Sequence, residues 1–199
     1  MEKDLTQFMG GDPLKSLRYL KLKYGVAEMN DSAETLDATT YFITDASLAA
    51  APYVKELVQI FEGVRKDKNL KSSLVVLFDS ENKKAGILSG AISKHISCVV
   101  PQDEKEKALL LYGAVGFVSL RYKAADDSYF LQIMKLGVPL ILPKVSDQEG
   151  NLGHAAYFVE KIDPETVGQA IVKLENSPTL RDSIVKSALE QIKMLQERS

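Results

Sequence analysis

The residues best able to do chemistry in this chain are charged ones crowded into a short stretch. Arg121 and Lys123 stand just ahead of Ala125-Asp126-Asp127-Ser128. Cations beside the start of a helix can hold an anionic ligand, where helix N–H groups also point. Two aspartates at the same place would instead cap the helix themselves and repel a phosphate. Arg121 and Lys123 can therefore either pair with these acids or face a ligand.

Other reactive side chains are scarce. The chain has two histidines and one cysteine, so no metal-ligand spacing exists. His95 precedes an apolar run, and His154 falls on a turn before another. Cys98, inside Ile96-Ser-Cys-Val-Val, reads as a small buried hydrophobe. Alone, it can form no intramolecular disulfide, which fits a reducing, cytoplasmic setting. There is no G-x-S-x-G elbow and no Walker A sequence.

The elements that must position these residues alternate along the chain. Six β-rich runs recur: Thr40–Asp45, Ser73–Asp79, Ile96–Val100, Val115–Leu120, Val138–Leu142 and Ala156–Glu160. Most are continuously apolar, as strands covered on both faces read. Between them lie helical stripes. Val54, Leu57, Val58 and Phe61 repeat at i, i+3, i+4 and i+7, and Ile87, Leu88, Ala91 and Ile92 give a second stripe. A third helix opens near Asp103-Glu104, and another runs through Phe130, Ile133 and Met134 to a stop at Gly137. Asp163-Pro164-Glu165 supplies an N-cap and a first-turn proline, with Val167, Ala170, Ile171 and Leu174 as the buried face. A last helix follows Ser177-Pro178, with Leu180, Ile184, Ala188, Ile192 and Leu195 along one side.

Such alternation predicts an α/β fold: a doubly wound, mostly parallel six-stranded sheet with helices on both faces and right-handed crossovers. Residues 1–38 read as a linker carrying a basic helix over Leu14–Tyr24, and residues 39–199 as the Rossmann-like domain. With 199 residues, 45% hydrophobic and 26% charged, the chain is long enough and apolar enough for one buried core. The net charge of -2, with both signs mixed along the chain, argues against nucleic acid as a partner. No apolar run is long enough to predict a transmembrane segment, and the first residues have no signal-peptide h-region.

Four segments, in order, carry a family resemblance. Asn151-Leu-Gly-His-Ala-Ala-Tyr-Phe-Val-Glu-Lys-Ile-Asp-Pro-Glu-Thr-Val-Gly-Gln-Ala-Ile resembles the last strand and following helix of the C-terminal half of GT-B retaining glycosyltransferases, a "GdAAllvdp-dpe-la-aI" pattern. Asn176-Ser-Pro-Thr-Leu-Arg-Asp is similar to the start of that family's next helix. Gln132-Ile-Met-Lys-Leu-Gly-Val-Pro-Leu-Ile is similar to its "EAMa-GvPVi", and Arg18-Tyr-Leu-Lys-Leu-Lys-Tyr-Gly-Val to its "lRkklGi" linker. The resemblance implies a donor-binding half of a hexosyltransferase acting on a glycan or lipid-linked acceptor. It implies a UDP-, GDP- or ADP-sugar as the bound donor, and an N-terminal GT-B half or partner subunit.

The same resemblance shows what has changed. The family's first strand ends in a "GRl…KG" pattern whose Arg and Lys face the diphosphate. Aligned on Phe61, those positions hold Ser47 and Pro52, and Asp45 nearby adds a charge of the opposite sign. The family's paired glutamates, eight positions apart, fall on Ala124 (or Lys123, one residue away) and Gln132. Gln132 can still hydrogen-bond a ribose, though more weakly than an ionised acid. The family's glycine-rich loop corresponds to Ala125-Asp126-Asp127-Ser128. The implied donor-site residues are thus Ser47, Arg121, Lys123, Asp127, Ser128 and Gln132, with no catalytic residue assigned. These departures imply an alternative: a non-catalytic, glycosyltransferase-like binding or assembly module.

Overall fold

The computed structural model describes residues 40–48, 51–80, 93–144, 152–153 and 155–197. The helices expected at Leu14–Tyr24 and near Ile87–Ile92, and His154, lie outside the described residues. All six expected strands form: β1 (Tyr41–Asp45), β2 (Ser73–Leu77), β3 (Ile96–Val99), β4 (Gly116–Val118), β5 (Leu140–Pro143) and β6 (Tyr157–Val159). Every pairing is parallel, and the sheet order is β3-β2-β1-β4-β5-β6.

The described helices are α1 (Ala51–Lys68), α2 (Glu104–Tyr112), α3 (Asp127–Lys135), α4 (Pro164–Asn176) and α5 (Pro178–Glu197). They cover both faces, which is why the strands could be apolar at every position. On β1, Tyr41 and Ile43 join a core with Leu110 and Leu111 of α2, Phe130 and Ile133 of α3 and Ala188 of α5. Phe42, pointing the other way, joins Leu57 and Phe61 of α1 and Ile171 and Leu174 of α4. Each large side chain so buried stabilises the fold by about 1.5–3 kcal/mol.

Local signals set the helix ends. Asp103 and Asp163 adopt extended backbone, and their carboxylates accept the Glu106 and Thr166 N–H groups at 2.8 and 2.7 Å. Gly137, at φ 75°, turns the chain out of α3 toward β5. Gly168 lets α4 lie against α1, since a Cβ there would meet Val64 Cγ2 at 2.5 Å. At the opposite end of the sheet from the site, the Glu175 carboxylate accepts the Ser72 N–H at 2.6 Å, and Arg65 donates to the Ser72 carbonyl. No described helix is long and apolar enough to cross a membrane.

The strand order has one functional consequence. The chain runs outward from β1 to β3 and then returns to place β4 on the other side of β1. Loops leaving β1 and β4 therefore diverge, and in folds of this kind that switch point is where a ligand crevice is expected.

Candidate ligand crevice at the switch point

Two clusters line this crevice, one on each of the diverging strands. Asp45 closes β1 with a side chain only 3% exposed. Its Oδ1 accepts hydrogen bonds from the Ser47 N–H (2.8 Å) and the Ser47 hydroxyl (2.6 Å). Its Oδ2 accepts from the Tyr129 hydroxyl (2.8 Å) and pairs with Lys107 Nζ (2.8 Å). Lys107 also lies 4.7 Å from the centre of the Tyr129 ring. Burial alone would raise the Asp45 carboxyl pKa. The Lys107 charge, with hydrogen bonds from Lys107 and Ser47, outweighs it and holds the carboxyl below its ordinary range. The Tyr129 hydroxyl shifts up, through burial and then through the Asp45 charge.

Arg121 organises the β4 side. The Ser119 hydroxyl donates to the Arg121 carbonyl at 2.6 Å and so shapes the turn that follows β4. Arg121 Nη1 donates to the Leu48 carbonyl at 2.7 Å, which ties the β4 loop to the β1 loop. Its Nη2 stands 3.9 Å from Asp126 Oδ2, within ion-pair range. Arg121 Nε and Asp126 Oδ2 are both buried without a hydrogen-bond partner.

The remaining expected residues part company here. Ser47 is exposed in the turn after β1, and Lys123 and Ser128 are exposed around the start of α3. Gln132 is half-buried one turn further along α3. Asp127 is buried and accepts a short hydrogen bond from Tyr122, whose ring stacks on Phe130. Burial, then this bond, raises the Tyr122 pKa.

The expectation that the paired aspartates cap α3 needs correction. Asp126 occupies the N-cap position, yet its side chain makes no cap hydrogen bond. A 3-10 turn over Ala124–Asp126 leads straight into α3 and leaves Asp126 in helical backbone, φ -92° and ψ -1°. A capping carboxylate needs extended backbone to reach the N–H groups ahead of it. Asp126 turns toward Arg121 instead, and Asp127 turns inward.

Lys107 and Tyr129 were not expected from the sequence. Lys107 lies in Glu104-Lys-Glu-Lys, which reads as a solvated helix start. One available signal was Tyr129 itself, since a tyrosine beside a buried stripe needs a partner for its hydroxyl. Beyond the crevice, Asp45, Asp79, Gln102, Asp103, Glu104 and Lys107 line an adjoining cavity of about 210 Å³. Its acids outnumber its single lysine, so it favours hydroxyl or amino groups over phosphate. Among the described residues, no group of three or more His, Cys, Asp or Glu side chains could hold a metal ion.

Compared by sequence, the chain matches no family model and no curated protein significantly. Solved structures do resemble it. WaaG, a glycosyltransferase involved in lipopolysaccharide biosynthesis, superposes with a TM-score of 0.62 at 12% identity, over 89% of this chain and 46% of WaaG. A UDP-forming trehalose-phosphate synthase from Burkholderia xenovorans gives 0.65 at 13% identity, over 96% of this chain and 45% of the synthase. The C-terminal domain of the group 1 glycosyl transferase LpcC from Francisella tularensis gives 0.59 at 15% identity, over 86% of this chain and 95% of that domain. The chain thus spans less than half of the WaaG and synthase chains and nearly all of the LpcC domain. The fold is that of the C-terminal, Rossmann-like half of a GT-B glycosyltransferase.

Proposed function

We propose that this chain is a non-catalytic, glycosyltransferase-like binding or assembly module. The observation that carries this is the engagement of the two cations held in the crevice. Lys107 is held by Asp45, and Arg121 by the Leu48 carbonyl and Asp126. A transferase half must neutralise a diphosphate leaving group, which takes positive charge free to face it. Here the β1 end presents a buried, ionised carboxylate instead. Binding by such a module rests on neutral contacts and on the acid-lined cavity beside the crevice.

A second reading keeps the chain as the nucleotide-sugar-binding half of a hexosyltransferase acting on a glycan or lipid-linked acceptor, its acceptor side supplied by an N-terminal half or partner subunit. Two observations favour it: Arg121 Nε is buried at the switch point without a hydrogen-bond partner, and a structural neighbour is a UDP-forming synthase.

Thermal melting with UDP-, GDP- and ADP-sugars separates the two. A donor at ~100 times its dissociation constant stabilises a fold by about 2.7 kcal/mol, or several degrees at roughly 2–4 °C per kcal/mol. The module reading expects no shift at millimolar donor. A shift of several degrees with one donor selects the transferase half.

A further inference from the structure

Arg121 meets its surroundings unevenly. Its Nη1 is spent on the Leu48 carbonyl at 2.7 Å. The edge formed by Nε and Nη2 is the fork with which a guanidinium grips a carboxylate or phosphate through two parallel bonds. On that edge Nε has no hydrogen-bond partner, and Nη2 stands 3.9 Å from Asp126 Oδ2, itself buried and unpaired. The pair attracts without hydrogen-bonding. The two side chains are 23% and 18% exposed, yet Nε and Asp126 Oδ2 themselves are buried, so this edge opens to a ligand only when the pair moves apart.

We infer that Arg121 and Asp126 form a displaceable latch: Arg121 holds the β1 loop against the start of α3, and a diphosphate competes with Asp126 for its Nε–Nη2 edge. The inference rests on the module reading, because it names the contact that keeps the crevice closed to phosphate. It also states how that closure is released. The geometry assigns the release to one carboxylate: a bidentate oxyanion satisfies Nε and Nη2 together, which Asp126 in its present position does not. The Asp45 cluster holds Lys107 through short, fully formed contacts and stays in place when the latch opens.

Calorimetric titration of the whole chain with inorganic pyrophosphate tests this. Asp126→Asn should bind at least tenfold more tightly than the unchanged chain, and Asp126→Asn/Arg121→Gln should lose that gain. Equal affinity of Asp126→Asn and the unchanged chain would overturn the latch, as would a gain that survives the loss of Arg121. Asp126→Ser, tested alongside with its melting temperature, repeats the comparison should the asparagine pair with Arg121 in turn. If the unchanged chain itself bound pyrophosphate tightly, the module reading would fail. The ratio between variant and unchanged chain would still report the latch.

Discussion

Two carboxylate–cation pairs sit side by side at the switch point, and they are built differently. Asp45 is 3% exposed, and its two oxygens accept bonds from Ser47 and Tyr129 and a 2.8 Å contact from Lys107. Asp126 is 18% exposed, stands 3.9 Å from Arg121, and leaves an atom on each side unpartnered. A buried charge is tolerated only when fully paired and hydrogen-bonded, and removing one partner is then costly. The Asp45 cluster is therefore a fixed part of the fold. The Arg121 corner is the part of the crevice that can change partners.

Breaking the first pair should have the largest effect. Lys107→Met leaves Asp45 buried without its cation and should cost about 3 kcal/mol, read from the denaturant midpoint. That is the low end for a broken buried pair, since Lys107 is 22% exposed. Tyr129→Phe removes one donor to the same carboxylate and should cost about 1–2 kcal/mol by the same measurement. Arg121→Gln, at the half-satisfied corner, should cost about 1 kcal/mol through the lost bond to Leu48. Asp126→Asn should stay within about 0.5 kcal/mol of the unchanged chain. Were the Arg121 variant to cost as much as Lys107→Met, the contrast between the two corners would be lost.

Acid sharpens the same contrast. Asp45 has a folded pKa below its ordinary value of about 3.9. The stability it contributes is fully present above that value and is lost as pH falls through the lowered folded pKa. Melting temperature should therefore drop as pH falls below about 4. In Lys107→Met the Asp45 carboxyl pKa should rise, and this part of the acid dependence should shrink or reverse.

The frame of the fold was legible because its signals are local. Apolar runs such as Tyr41–Ile43 are buried on alternating faces, so their composition alone marks covered strands. Asp103 and Asp163 cap their helices as their positions suggested. The site was legible only in part. Ser47 and Arg121 do come to one crevice, linked through the Leu48 carbonyl. The Asp45–Lys107–Tyr129 cluster joins positions 62 and 84 residues from Asp45, and only the strand order brings them together. Asp126 was misread as a cap because the 3-10 turn before it leaves no trace in residue type.

An ionised Asp45 keeps Lys107 from a ligand. A carbon-13 NMR titration of the Asp45 carboxyl tests this most directly. In the unchanged chain the midpoint should lie below the ordinary carboxylate range, and in Lys107→Met it should rise clearly. A midpoint at or above about 3.9 in the unchanged chain would mean that Lys107 is not committed to Asp45, and would return it to the crevice as a cation for diphosphate.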